Sequence, residues 1–431
     1  MDRRNFLLSS AALMGGVVLA GCGNSGSGSG SGTMRMAQYG STHRISLFEE
    51  AFTAYAEHQP DWTFTMDGAS NDAYLDRLAT QVSGGNAPAL MGLFHSAVPQ
   101  FGRQNALVDL DTYIGDTLDT SAFSEGQVDL GRIEGTVRGL SFGDNVHGSM
   151  YDVDLLDSLG FSLPEPGHTW EDLLTLSADI TRAVDGDFYG TDDRSAQLDQ
   201  IFKVWLLQRG KYSFDESGAL GFDKSDLTDW MELWQMFRDE GAAPPAEITA
   251  EAGGTFEASS LIRGYVPNHQ TYANALASMQ SLTEAKLQLT TIPVDPEGAG
   301  SGHFIRGSNW VGVYSRTDNP DVAAGFLDFV LNDPEGAGIL GAEMGAPPNR
   351  ELRGSLDYSD AEQNFIDYVD MVTEDLADPA IPLAREFPPS FPDVDQAFTT
   401  AVEDHRFGRS SVSEAVDVFF ERAESVTRSP A

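Results

Sequence analysis

The sequence predicts an α/β fold, and three observations predict it. From Thr33 onward, short apolar runs alternate with stretches whose apolar residues recur at helical spacing. The first segments run strand, helix, strand, helix, strand, an order that implies parallel strands joined by right-handed crossovers. The chain is also long and apolar enough for more than one core: 431 residues with 41% hydrophobic content suit two or three domains.

Residues 34–39 (MRMAQY) read as a strand. Residues 45–58 carry Ile45, Phe48, Phe52 and Tyr55 at helical spacing, and 62–66 (WTFTM) alternate as a strand. A helix over 72–82 places Tyr74, Leu75, Leu78 and Val82 on one face, and the apolar run 89–93 follows a Gly- and Pro-containing turn. Ligands of such sheets sit beyond the carboxyl ends of the parallel strands. The pattern changes near 139–145, after which Met150-Tyr151-Asp152 open a helical run to Gly160. Thr169 caps a further helix, and helical patterns fill 195–209 and 227–240 before Gly241.

Composition removes several functions. With 66 acidic and 26 basic residues the formal net charge is −40, and the only lysines are Lys203, Lys211, Lys224 and Lys286. Such a chain repels phosphate backbones and anionic lipid, so nucleic acid is not an expected partner. The single cysteine, Cys22, precludes an internal disulfide and a Cys-based metal site.

The N-terminus reads as an export signal. Arg3 and Arg4 give a positive start, and residues 6–19 form an uncharged, largely apolar stretch of 14 residues. That is too short to span about 30 Å of hydrocarbon at about 1.5 Å per residue. Leu19-Ala20-Gly21-Cys22 looks like a bacterial lipobox, with cleavage before Cys22 and a lipid on its thiol; Arg3-Arg4-Asn5-Phe6-Leu7 also resembles a twin-arginine signal. Residues 1–21 are therefore expected to be a signal peptide and 22–33 a Gly/Ser tether. Its ten Gly/Ser-rich residues would hold their ends about 17 Å apart.

Enzyme signatures are weak. Gly139-Leu140-Ser141-Phe142-Gly143 matches the G-x-S-x-G elbow, but Asp144-Asn145-Val146-His147-Gly148 is a poor helix start, so Ser141 is not expected to be a nucleophile. The eight histidines form no H-E-x-x-H, and the Gly-rich 298–302 lacks the Lys-Ser/Thr of a phosphate loop. No metal and no cofactor is expected. Aromatic and amide placement is more informative, because a sugar has apolar faces for flat rings and a hydroxyl rim for amides, carboxylates or Arg. Loop-tip candidates are Tyr39 to Arg44, Phe94-His95, Asp144-Asn145, Asn268-His269-Gln270 and Ser308-Asn309-Trp310. Trp205, Trp230 and Trp234 fall within helical patterns, the last two reading as core. Trp310 is evenly placed between core and cleft.

Four segments together carry a family resemblance. GSMYDVDLLDSLGFSLPEPGHTWEDLL (148–174) joins an aromatic-Asp pair, a helix ending at Gly, a Pro-containing link and Thr-Trp-x-x-Leu. LATQVSGGNAPAL (78–90), NWVGVYSRTDNPDVAAGFLDFVLNDPEG (309–336) and MGAPPNR (344–350) are the others. In this order, behind a lipobox, they resemble the extracellular solute-binding proteins of ABC importers, family 1, the sugar-binding lipoproteins. The resemblance implies a two-lobe, periplasmic-binding-protein-like fold of type II, with hinge strands and a ligand cleft between the lobes. Lobe one would be 34–142 with 303–350, and lobe two 146–300 with 351–431.

By matching position, the resemblance places His43 and Arg44 in the first-strand loop, Tyr74 on the second helix, and Phe94 and His95 at the third-strand tip. Asn145 falls at the hinge, Trp205 on a lobe-two helix, Asn268 and Gln270 in a return loop, and Ser308 and Trp310 at the final crossing. Many relatives carry an acidic residue where Phe94-His95 stand. The implied protein is a receptor, not an enzyme. Closure would trap a mono- or oligosaccharide, with Arg44, Asn145, Asn268 and Gln270 on its hydroxyls and Trp310 on its face. It would act as a monomer, lipid-anchored through Cys22 to the outer face of the cytoplasmic membrane, and hand its ligand to permease subunits. A non-sugar solute is the nearest alternative, and a secreted glycoside hydrolase the one from another class.

Overall fold

A computed structural model describes residues 31–69, 74–124, 126–215, 217–252, 255–377, 388 and 390–427. The export signal, Cys22 and the tether through residue 30 lie outside the described residues. In chain order the described strands are β1 (Gly32–Tyr39), β2 (Trp62–Ala69), β3 (Leu90–Leu93), β4 (Arg132–Ile133), β5 (Thr136–Val137) and β6 (Leu140–Ser141). Then come β7 (Asp144–Asn145), β8 (His147–Asp152), β9 (Asn268–Tyr272), β10 (Leu287–Thr290), β11 (Arg306–Gly307) and β12 (Trp310–Val313). β1 begins two residues inside the stretch expected to be tether, because Gly32 and Thr33 already pair with Trp62 and Thr63.

The first lobe is built on a five-stranded sheet, β2-β1-β3-β12-β6. The β1–β2 and β1–β3 pairs are parallel as expected, while β12 returns antiparallel to both β3 and β6. The helix Thr42–His58 starts a turn earlier than its apolar pattern, because the Ser41 side chain accepts the Arg44 N–H at 3.1 Å. It buries Phe48, Phe52 and Tyr55, with Phe52 4.5 Å from Phe326 of the helix Pro320–Asn332. The helix Tyr74–Ser83 opens with Tyr74, whose hydroxyl donates to the carbonyls of Ala37 (3.0 Å) and Gly92 (2.7 Å). Tyr74 is 1% exposed, so it fastens this helix to β1 and β3 rather than lining a cleft.

The second lobe carries an antiparallel sheet, β10-β8-β9. Two expectations change here. Met150 to Asp152 end β8 instead of opening a helix; the helix is Val153–Leu159, with Asp152 capping its start and Gly160 closing it at φ 79°. Asn268-His269-Gln270 belong to β9, not to a loop, pairing with Tyr151, Met150 and Ser149. Capping boxes at Thr169/Asp172 and Asp223/Asp226 start the helices Trp170–Ala183 and Lys224–Asp239. A helical core unites Trp170, Phe202, Trp205, Trp230, Trp234, Phe398 and Phe419. Trp205 belongs to it at 1% exposure, 5.7 Å from Phe202 and 5.6 Å from Trp230.

The chain crosses between the lobes on strands that pack without side chains at their closest approach. β7 pairs with β11, placing Asn145 opposite Arg306 and Asp144 opposite Gly307, and Asp144 bridges to Ala346 on its other side. A Cβ at Gly143 would lie 2.6 Å from the Gly345 carbonyl carbon, so the crossings fit only as glycine. Ser141 sits in β6, its hydroxyl donating to the Gly143 carbonyl at 2.7 Å and accepting the Ser308 N–H at 2.9 Å; no nucleophile elbow forms.

Successive strand residues face opposite ways, so Asp144 and Asn145 serve different sides of the hinge. Asp144, fully buried, accepts from Ser124 Oγ (2.9 Å), Gln127 Nε2 (2.8 Å) and Arg353 Nη2 (2.7 Å). Arg353 also donates to the Pro347 carbonyl and to Asp370. Burial pushes the Asp144 carboxyl upward, against the pull of the Arg353 guanidinium. Arg353→Met is expected to cost about 3–5 kcal/mol at neutral pH, by stranding a buried carboxylate. With the pull gone the folded-state carboxyl rises further, so this deficit shrinks as pH falls and Asp144 takes a proton. Urea unfolding at pH 7.5 and 5 checks both parts; Asp370→Asn, breaking the more exposed pair, should cost less than about 1 kcal/mol.

Candidate functional site

The carboxyl ends of β1 and β3 carry an aromatic pair. Tyr39 and Phe94 stack with centroids 4.0 Å apart, and the Tyr39 hydroxyl donates to Asn309 Oδ1 at 3.1 Å. Burial above all pushes that hydroxyl up to about 12, so it remains a donor. Phe94 is the more open ring of the pair. His95 rests 5.6 Å from Trp310; burial, then Arg306 and Lys203, hold its imidazole down to about 3, and it is neutral at working pH. Arg44 donates to Asn309 Oδ1 at 3.1 Å and grips Glu343 through Nε and Nη2 at 3.3 and 3.2 Å.

From the hinge a chain of amides reaches the other lobe. Asn145 Nδ2 donates to Asn274 Oδ1 at 2.9 Å, and Asn145 Oδ1 accepts the Asn274 N–H at 3.2 Å. Asn274 Nδ2 and Asn309 Nδ2 both donate to Ser308 Oγ at 3.2 Å. Tyr272, two residues before Asn274, has the Arg306 guanidinium 4.3 Å over its ring and donates to Asp199, which Lys203 meets at 3.2 Å. A crevice of about 920 Å³ opens between the lobes, with Ser41, His43 and Arg44 on one wall and Ala277, Ser278 and Ser281 on the other. Among the described residues no group of three or more His, Cys, Asp or Glu could hold a metal ion, and no helix is long and apolar enough to cross a membrane.

Two lobes with a crevice between them describe a solute trap, and residues 50–364 match the family model for bacterial extracellular solute-binding proteins. The chain belongs to this family. A Brucella abortus (strain 2308) protein named as a binding protein is 22% identical over 329 residues, 75% of this chain and 77% of that one. A periplasmic oligogalacturonide binding protein from Yersinia enterocolitica, solved with saturated digalacturonic acid, is similar at TM-score 0.76 and 20% identity, over 92% of this chain and 100% of that one. The cyclic alpha-maltosyl-1,6-maltose binding protein from Arthrobacter globiformis is similar at TM-score 0.72 and 20% identity, over 93% and 100%. At these identities the structural likenesses speak to the fold. By its family this chain is a solute-binding protein, not an enzyme.

The structure gathers some of the expected residues and disperses others. His43 and Arg44 line the crevice; Phe94 stacks on Tyr39, His95 rests against Trp310, and Asn145 and Ser308 share the hydrogen-bond network at the hinge. Tyr74 and Trp205 are core residues, as described above. Asn268 and Gln270 are fully buried within the second-lobe sheet, with Asn268 Oδ1 accepting the Asp192 N–H at 3.2 Å. Trp310 is 1% exposed and pairs with Leu93 and Ser141, its indole packed where a Cβ at Gly307 would come within 2.2 Å. Its ring is part of the sheet's packing. The sequence reading passed over Tyr272, Asn274 and Arg306. The signal for the first two was available: once 268–272 is a strand, its far end and exit, not its middle, reach the hinge.

Trp310→Ala is therefore expected to lose stability, by about 3–5 kcal/mol in urea unfolding, as for a large core truncation. A variant of unchanged stability would return Trp310 to the cleft.

Proposed function

We propose that this chain is the capture component of an ABC importer, holding a mono- or oligosaccharide between lobes 34–142 with 303–350 and 146–300 with 351–431. One observation carries the reading: the Tyr39–Phe94 stack, at the carboxyl ends of parallel strands, is tied through Asn309 to the hinge residues Ser308, Asn274 and Asn145. A flat ring pair covers a sugar's apolar face, and amides and a hydroxyl suit its rim. The relatives named for oligogalacturonide and for cyclic maltosyl-maltose support a saccharide. His43, Arg44, Phe94, His95, Asn145 and Ser308 are the proposed contacts.

The mechanism is closure. Each lobe alone offers half the contacts, so ligand bound to both lowers the closed state relative to the open one. Closure removes water, which strengthens the amide hydrogen bonds. The closed surface is then presented to permease subunits. The chain works as a monomer, tethered by a lipid on Cys22 to the outer face of the cytoplasmic membrane.

A thermal-shift panel of neutral and acidic mono- and oligosaccharides tests this. A true ligand at 100 Kd should stabilise the protein by about 2.7 kcal/mol, a clear rise in Tm. In calorimetry, Phe94→Ala should weaken that ligand at least tenfold, about 1.4 kcal/mol, with the Tm of the free protein little changed. No shift with any saccharide, alongside one with a peptide or polyamine, would replace the sugar with another solute.

A further inference from the structure

We infer that the solute is an acidic saccharide, and that Arg306 pairs with a ring carboxylate of it; this rests on the saccharide reading above. Arg306 lies on β11 directly opposite Asn145, so it projects from the hinge on the same face as the amide chain. It is half-buried. Its guanidinium lies 4.3 Å over the Tyr272 ring, and its Nε makes only a long 3.4 Å contact to the Gly307 carbonyl. Among the described residues no carboxylate lies within ion-pair distance of it. A chain with 66 acidic residues has no shortage of carboxylates to place there.

Arg306 stands between the lobes. Its charge bears on Tyr39 and His95 of the first lobe and on His147 and Tyr272 of the second. Lys203 bears on the same two imidazoles and lies 4.9 Å over Phe304, while meeting Asp199 at 3.2 Å. Asp199 is held by Lys203 and the Tyr272 hydroxyl, and Asp395 is pushed up by burial and then by Asp199. His95 and His147 are neutral and add no charge. Arg306 is thus a half-buried cation with no carboxylate partner among the described residues, inside a protein of net charge −40.

A cation drawn partly out of water needs a partner. The amides of the gap suffice for hydroxyls; the guanidinium adds what a neutral sugar cannot use. Beside Tyr272 the guanidinium offers a planar N–H fork, the shape that meets a carboxylate with two parallel hydrogen bonds. A uronate ring would set its carboxylate on that fork and its apolar face toward Phe94.

The test is calorimetry on the full chain with a set of oligogalacturonides, their methyl esters, and neutral galacto-oligosaccharides of matching length. The acid is expected to bind at least tenfold tighter than its ester, and its affinity to fall with added salt. Arg306→Gln should bring acid and ester together, and Arg306→Lys should restore part of the difference. Equal or tighter binding of the esters or neutral sugars to the unaltered protein would overturn the inference while leaving the saccharide reading intact. So would an Arg306→Gln variant that weakens acid and ester alike, which makes Arg306 a hinge brace. Binding of none of these by a folded protein would overturn both.

Discussion

A fully buried carboxylate on the crossing strand sets how the two lobes meet. Asp144 draws in Ser124 and Gln127 from the segment before the crossing and Arg353 from the segment after the last one. Arg353 passes the connection on to the Pro347 carbonyl and to Asp370 on the helix Asp360–Met371. A charge with no access to water is held only where all its partners converge, so this side of the hinge has little freedom. Movement is left to the opposite side, where Asn145 and Arg306 project.

That opposite side is wired differently. Asn145, Asn274, Ser308 and Asn309 hand hydrogen bonds from one to the next, all neutral, and each is replaceable by a hydroxyl of a ligand or by water. Burial keeps the nearby imidazoles of His95 and His147 uncharged. These two imidazoles therefore add no charge that changes across the pH range in which carboxylates are ionised.

The α/β class, the first parallel strands and the capped helix at Thr169 were legible because their signals are local: apolar periodicity, and a Thr three residues before an Asp. The order of β6 and β12 in the sheet was not, since nothing in Leu140-Ser141 or Trp310-Val311 states which strand it will lie beside. Asn268-His269-Gln270 misled for a physical reason. A strand sandwiched inside a lobe with polar residues on both faces has no hydrophobic alternation, and three polar residues in a row read as a loop tip. Trp310 misled in the other direction, because a strand's first residue borders both the cleft and the core, and only the packing against Gly131 and Gly307 decides for the core. Arg306 gave no signal at all; an isolated arginine gains meaning only once the described residues around it are seen to include no carboxylate within ion-pair distance.

The crossings meet as bare backbone at Gly143 and Gly345, and Gly307 leaves room for the Trp310 indole. Nothing there can be exchanged for a larger residue without forcing the strands apart. The groups bordering the gap, by contrast, sit mostly at strand exits and loop ends whose replacement leaves the cores untouched. Descendants of such a chain would inherit one way of hinging while their appetite drifted freely from one nutrient to the next.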